Sequence, residues 1–150
     1  MLIKLTDQEG KTRAGEPNET QWGPGVTHSA AGDAAQDLCT DGWIHCYVGI
    51  GVALMMNPQG AGIFNPLAWE CEGTIGKRDD WKKAGCRTLT TVRQIPYIPP
   101  PLEALVTAAI YCALSVCPEA CFVDWAGTWL SGEGRSAEAA ARAAARAAGA

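Results

Sequence analysis

The sequence lacks any apolar run of the length that a membrane span requires. A transmembrane helix needs about 20 consecutive, mostly apolar residues, and no stretch of the 150-residue chain approaches that length. The first ten residues, Met1 to Gly10, also lack the apolar core of a signal peptide. We therefore expect no membrane interaction and a cytoplasmic location.

The cysteines lack the spacing that a disulfide framework or a zinc knuckle shows. Their number is odd, and no two of them form a Cys-x-x-Cys pair. Buried free cysteines usually act as small apolar side chains. We therefore interpret all seven as thiols of a protein in a reducing compartment: Cys39, Cys46, Cys71, Cys86, Cys112, Cys117 and Cys121.

The sequence has no excess of basic residues. Twelve Lys and Arg stand against sixteen Asp and Glu, which gives a formal net charge of −4. A protein of that sign gains no free energy from counterion release on nucleic acid, so we expect no direct DNA or RNA binding. The acidity is compatible with a basic protein partner, although many ordinary cytosolic proteins are equally acidic.

Groups that could carry catalysis are scarce. The chain has two histidines, His28 and His45, too few for an imidazole-rich metal site. His45 adjoins Cys46, but successive residues of a strand point to opposite faces, so these two cannot form a nucleophile–base pair. The sequence predicts no catalytic residue, no metal site and no cofactor.

Glu70 and Glu72 are the nearest approach to a carboxylate pair. Two positions apart on a strand, they are expected to lie roughly 6–7 Å apart on one face. That spacing overlaps the range of about 5–9.5 Å used by glycosidases, but solvated glutamates on an exposed sheet face are far commoner. We keep both as candidate binding residues rather than catalytic ones.

The first two-thirds of the chain is typical of a small, mainly antiparallel sheet. Segments 2–5 and 43–47 have the apolar, aromatic and β-branched composition of strands. Alternating polarity predicts a strand with one wet face over Leu67–Ile75, and the composition of Cys86–Ile95 predicts another. The polar segment Lys77-Arg78-Asp79-Asp80 is expected to connect these two, which would then pair as antiparallel neighbours.

Helical signals dominate the last third. A short apolar helix is expected over 49–56, and apolar residues at a helical period predict an amphipathic helix over 102–114, after the stiff segment Pro99-Pro100-Pro101. Bulky residues predict a further helix over 122–130. The alanine-rich segment Ala137–Ala148 has high helix propensity, but a lone helix of this length is marginal in water.

These signals together predict one α+β domain. Residues 1–98 form its strand-rich part, residues 99–132 form a helical pair packed on the sheet, and residues 133–150 form an alanine-rich helical tail. Because alanine buries little area, that tail needs a partner surface, and self-association through it is one possibility.

Six tryptophans are a heavy load for 150 residues. Some of them are expected in the core, and the others could line a pocket or a protein interface, where tryptophan is enriched. Two arginines of the later predicted strand are expected to share one face. The candidate residues for binding a ligand or a partner are Trp43, His45, Trp69, Glu70, Glu72, Trp81, Arg87 and Arg93.

The segment Cys39-Thr40-Asp41-Gly42-Trp43-Ile44-His45 carries a Cys-x-x-Gly-aromatic-x-His pattern. With it the chain resembles a family of small uncharacterised phage and prophage proteins that contain a domain of unknown function. The likeness continues at 53–58, 69–73, 83–86 and 92–96, and again from Trp129 into the alanine- and arginine-rich tail. The segment from Gly15 to Thr27 departs from the family's pattern.

The resemblance implies a phage-encoded protein that acts in the host cytoplasm. We expect a non-catalytic binding protein that inhibits a host protein or protein complex, as an anti-defence factor of the anti-CRISPR kind. The alternative is a nucleotide-binding protein, either a sponge for a signalling nucleotide or a degenerate ADP-ribosyltransferase-like enzyme. Its expected pocket residues would be Trp43, His45, Trp69 and Arg87.

Overall fold

The structure is a computed structural model that describes residues 1–57, 60–79, 83–136 and 138. The chain divides into two compact units, Met1–Pro99 and Pro100–Ala150. Candidate residue Trp81 and the expected helix over 137–148, apart from Glu138, lie outside the described residues. Self-association through that helix stays a prediction.

The first unit contains the sheet. Seven of its strands form one antiparallel sheet in the order β4-β9-β6-β1-β5-β8-β7, and β2 and β3 form a separate two-stranded ladder. The strands are β1 Leu2–Thr6, β2 Lys11–Thr12, β3 Thr20–Gln21, β4 Val26–Ser29, β5 Ile44–Val48, β6 Leu67–Glu72, β7 Ile75–Asp79, β8 Lys83–Cys86 and β9 Thr88–Ile95.

Strand β1 lies at the centre of the sheet and is covered on both faces. Leu2 packs on one face among buried residues that include Trp22 and Trp69. Ile3 packs on the other face, in a cluster that includes Ala53 of the short helix α1, Ile50–Met56. A strand buried on both faces reads as a nearly continuous apolar run, and Lys4 is the charged residue that interrupts this one.

The expected polar connection over 77–80 is wrong for its described part. Lys77, Arg78 and Asp79 belong to β7, which pairs antiparallel with β8. β7 stands at the edge of the sheet, where charged side chains protect unpaired backbone groups from pairing with another chain. The charge that suggested a loop is instead typical of an edge strand. Asp80 lies outside the described residues.

The two long predicted strands are each divided. Segment 67–75 breaks after Glu72 and segment 86–95 breaks at Arg87, so that β8 pairs with β5 and β7 while β9 pairs with β4 and β6. At Gly73 a side chain would meet the Thr88 carbonyl oxygen at 2.8 Å, so glycine permits the close approach of the two breaks. The expected antiparallel pairing of β6 with β9 is confirmed.

The second unit contains both predicted C-terminal helices, α2 Leu102–Leu114 and α3 Ala120–Leu130. They share a small core that centres on Ile110, Ala126 and Trp129. Packing of this pair on the sheet stays a prediction. The α+β class with a mainly antiparallel sheet is confirmed. None of the helices in the described part of the chain has the length and apolarity to cross a bilayer.

A hydrogen bond inside the sheet gives a direct test of the core. Trp69 Nε1 donates to Thr6 Oγ1 at 3.0 Å, and both side chains are buried. Thr6→Val keeps the side-chain shape but leaves the indole N–H unpaired. We therefore expect the free energy of unfolding, measured by urea denaturation, to fall by about 1–3 kcal/mol.

The matched control is Thr27→Val on β4, which removes an exposed hydroxyl pair with Thr90 at 2.8 Å. Its effect is expected to stay within about 0.5 kcal/mol, as for most surface substitutions. If Thr6→Val lowers the free energy of unfolding no more than Thr27→Val does, the buried hydroxyl of Thr6 does not have the stabilising role given to it.

Candidate functional site

The sheet opens between its two central strands. β1 and β5 pair at only two positions, Leu2 with Val48 and Ile3 with Tyr47. Beyond them β1 continues its pairing with β6, whereas β5 pairs with β8 on its other side. The divergence leaves backbone groups at the start of β5 without a ladder partner on the β1 side, and such groups need another partner when they are buried.

Lys4 supplies that partner. Its Nζ donates to the His45 carbonyl oxygen at 2.9 Å and lies 5.0 Å from the centre of the Trp22 ring. Among the described residues, the thiols of Cys46 and Cys71 and the guanidinium of Arg13 act on its charge. The ion pairs among the described residues do not include Lys4.

Burial without a carboxylate changes the acidity of this lysine. Removing the ammonium group from water disfavours its charged form and lowers the pKa of Lys4 from 10.5 to about 8. The Cys46 and Cys71 thiols oppose this shift, and the Arg13 charge adds to it. The described structure therefore holds a desolvated cation that no acidic side chain neutralises.

A cleft of about 320 Å³ lies at this opening, and we call it the lysine cleft. Three cationic side chains line it, Lys4, Arg13 and Lys83, and no aspartate or glutamate is among its described lining residues. Its described lining is Lys4, Leu5, Thr12, Arg13, His45, Cys46, Tyr47, Gly60, Ala61, Ile63 and Lys83. Such a lining attracts anions.

Arg13 reaches the cleft from a strained backbone. It follows β2 and has a φ of 55°, in the left-handed region that L-residues other than Asn, Asp and Gly seldom adopt. A hairpin ion pair between Lys11 and Glu19, with a 2.6 Å contact, lies close to it along the chain. Strain of this kind is concentrated at binding and catalytic sites.

A second cleft of about 230 Å³ adjoins the first, and we call it the tryptophan cleft. The two clefts share Lys4, Thr12, Arg13 and His45. The remaining lining of the tryptophan cleft consists of Asn18, Thr20, Trp22, His28, Ser29, Ala30, Ala31, Thr40, Asp41, Trp43 and Ile44. Lys4 and Arg13 thus lie where the lysine cleft and the tryptophan cleft meet.

His45 lines both clefts as a neutral imidazole. Its Nε2 donates to the Leu38 carbonyl, so in the neutral ring Nδ1 carries no proton. Burial lowers the pKa of His45, and the hydrogen bond to Leu38 only partly opposes this effect. The predicted candidate His45 is therefore at the site, as a neutral polar group.

Cys46 does not serve as a nucleophile here. Its Sγ donates to the Ala84 carbonyl at 3.6 Å and lies 3.9 Å from Cys86 Sγ. Burial is the main reason that the pKa of Cys46 is raised, and burial also raises the pKa of Cys71 to about 11. Buried thiols that stay protonated are poor nucleophiles.

The other described candidates divide between core and surface. Trp69 lies in the core, where its N–H bonds to Thr6. Trp43 borders the tryptophan cleft, although it is largely buried and donates to the Gln36 carbonyl at 3.0 Å. These two tryptophans and His45 therefore do not all meet in one open cavity.

The charged candidates lie away from the lysine cleft. Glu70 pairs with Arg93 on the sheet at 2.7 Å, and Glu72 is exposed at the end of β6. Arg87 donates to the carbonyls of Gly42 and Ala30, which holds the loop before β5 in place. The two arginines thus have different partners among the described residues.

The sequence reasoning missed Lys4, Arg13 and Lys83. Lys4 carries a signal in retrospect, because it is the charged residue within the otherwise apolar run of β1. The positive φ of Arg13 could not be predicted, because arginine is not a residue type that indicates a left-handed backbone. Lys83 lies in a polar segment that resembles an ordinary surface loop.

Within residues 1–57, 60–79, 83–136 and 138, no group of three or more His, Cys, Asp or Glu side chains is placed to hold a metal ion. No protein-family model, no curated protein and no solved structure matches the chain. The resemblance to phage proteins therefore stays a prediction.

The lowered pKa of Lys4 predicts a specific dependence of stability on pH. Between about pH 8 and its ordinary value of 10.5, the unfolded chain binds a proton on this lysine that the folded chain has released. Stability contributed by this group therefore rises with pH. The raised pKa values of Cys46 and Cys71 act in the opposite direction.

Subtracting the free energy of unfolding of Lys4→Met from that of the wild type removes the pH dependence that the two proteins share. It leaves the contribution of Lys4 together with its coupling to the two thiols. We expect this difference to rise by up to about 3 kcal/mol across that range, as measured by urea denaturation at successive pH values. The control is Lys77→Met, which removes an ammonium bound to Asp37 at 3.3 Å. If the difference in the free energy of unfolding between the wild type and Lys4→Met falls as the pH rises, the pKa of Lys4 is not lowered in the fold.

Proposed function

We propose that the chain is a non-catalytic binding protein that holds a small phosphorylated ligand of the nucleotide class in the lysine cleft. One observation carries this proposal. Lys4, Arg13 and Lys83 line a single cleft, and no carboxylate is among its described lining residues. In an otherwise acidic chain, this placement of three cations favours an anion.

A bound anion would neutralise the unpaired positive charge in the lysine cleft. A buried charge without a partner is unfavourable, and Lys4 is desolvated without a carboxylate. Hydrogen bonds between ammonium or guanidinium groups and phosphate are short and strong because both partners are charged. The ligand would thus supply the negative charge that the lining lacks.

The size and shape of the site support a nucleotide over a bare ion. At about 320 Å³, the lysine cleft is within the range of small-molecule sites. The adjoining tryptophan cleft offers Trp22 and Trp43 as aromatic edges beside the shared cations. A ligand with phosphate at Arg13 and a planar ring in the tryptophan cleft would use both features.

Surface occlusion by aromatic side chains receives less support. Trp22, Trp43 and Trp69 are buried and their N–H groups have partners inside the fold. If a phage encodes the chain, as the resemblance implies, inhibition of its host would follow from withdrawal of a signalling nucleotide. That mechanism unites the expected anti-defence role with the nucleotide-binding alternative.

Calorimetry tests the proposal with defined probes. We expect saturable binding of pyrophosphate and of at least one of AMP, NAD, ADP-ribose and a cyclic dinucleotide. Lys83→Met should weaken that binding at least tenfold, because a charge-assisted hydrogen bond is worth about 1.5–3 kcal/mol. Lys77→Met, outside both clefts, is the matched control. Failure of every probe to bind would overturn the proposal.

Arg13→Gly separates stability from binding. Glycine relieves backbone strain of about 1–2 kcal/mol, and its own entropic cost is about 0.5–1 kcal/mol. We therefore expect the free energy of unfolding to stay equal or rise by up to about 1.5 kcal/mol, while pyrophosphate affinity falls at least tenfold.

Asn65→Gly is the control for Arg13→Gly, because Asn65 also has a positive φ, of 44°, and lines neither cleft. It should leave binding unchanged. If Arg13→Gly binds pyrophosphate as tightly as the wild type, the guanidinium of Arg13 does not contribute to the binding site.

A further inference from the structure

We propose that Lys4 captures its ligand reversibly as an imine, and that the ligand is a phosphorylated compound with an aldehyde, such as the open-chain ribose end of ADP-ribose. This inference rests on the proposed function for the position of the phosphate. It adds the covalent bond and narrows the ligand class.

Lys4 lies between the two clefts. Its side chain lines both of them, so a ligand in either one contacts this lysine. The hydrogen bond from Nζ to the His45 carbonyl oxygen at 2.9 Å orients the amine. That bond survives deprotonation, because a neutral amine still has two N–H donors, and the nitrogen lone pair is then free to attack a carbonyl carbon.

The protonation state of Lys4 supports the geometry. Burial lowers the pKa of Lys4 to about 8. At pH 7.5 roughly a quarter of the molecules then carry a neutral amine, against about one in a thousand for an ordinary lysine. Imine-forming lysines are activated in this way, by desolvation or by a neighbouring cation, and Arg13 is such a neighbour.

The other cations of the lysine cleft decide which carbonyl compounds enter. Arg13 and Lys83 line the same cleft as Lys4, so they can hold a phosphate while the aldehyde carbon meets the amine. An uncharged aldehyde gains nothing from them. The phosphate therefore raises the local concentration of the aldehyde at Lys4.

The chemical step balances without a further reactant. The amine lone pair forms a bond to the carbonyl carbon, the C=O π electrons move to oxygen, and a proton passes from nitrogen to that oxygen to give a carbinolamine. The hydroxyl takes back from the solvent the proton that the ammonium released when it became the neutral amine, and it leaves as water as the C=N bond forms. One ammonium and one aldehyde thus become one protonated imine and one water, and hydrolysis reverses the step.

Pyridoxal 5′-phosphate is the probe for this site. The full-length protein is incubated with it at pH 7.5, reduced with borohydride, and mapped by peptide mass spectrometry. The chain has five lysines and one N-terminal amine. Peptide mapping therefore assigns the label to each of these amines separately. We expect labelling at Lys4 at a probe concentration at least tenfold lower than at Lys77.

Three comparisons isolate the aldehyde and the phosphate. Pyridoxine 5′-phosphate, which has an alcohol in place of the aldehyde, should compete with the probe and leave no label. Pyridoxal without phosphate should label Lys4 at least tenfold less effectively. Ribose 5-phosphate trapped with cyanoborohydride should add its mass at Lys4, whereas ribitol 5-phosphate should not.

Lys4→Arg tests the imine, because a guanidinium cannot form one. It should abolish the label at position 4, and Lys77→Arg should label like the wild type. Labelling spread evenly over the lysines, or confined to the N-terminal amine, would overturn the imine. Pyrophosphate binding without a label at Lys4 would also overturn the imine and leave the proposed function intact.

Discussion

The hydrogen bond between Lys4 Nζ and the His45 carbonyl oxygen is the interaction around which the site is organised. β1 and β5 lie side by side at the centre of the sheet but pair at only two positions. The amine of Lys4 occupies the gap that follows and partners a carbonyl that the ladder leaves free. Its desolvation, its lowered pKa and the cleft that it lines are consequences of that one divergence.

Local and global charge differ in this protein. The formal net charge of −4 disfavours polyanions such as nucleic acid, which contact a broad surface. A small ligand in a cleft interacts mainly with the residues that line it. The described lining of the lysine cleft contains cations and no carboxylates. An acidic protein can therefore bind a small anion, because the fold collects a few cations from distant parts of the chain into one place.

The tryptophans show how the fold uses polar atoms on large apolar side chains. Trp22, Trp43 and Trp69 are buried, and each donates its N–H inside the fold, to Thr12, to the Gln36 carbonyl and to Thr6 respectively. Buried indoles usually find such partners. Their number therefore reflects the construction of the core and the walls of the clefts more than an exposed aromatic surface.

The sequence by itself determined the α+β class, the first strand, the strand over 44–48 and the two C-terminal helices, because periodicity and composition act over a few residues. Breaks in the long strands and the edge strand over Lys77–Asp79 were decided by pairing partners far away in the chain. The cleft depends still more on tertiary structure. Lys4, Arg13 and Lys83 are distant in the chain and line one cleft only in the fold. Neither the divergence of β1 and β5 nor the positive φ of Arg13 is encoded in a local pattern.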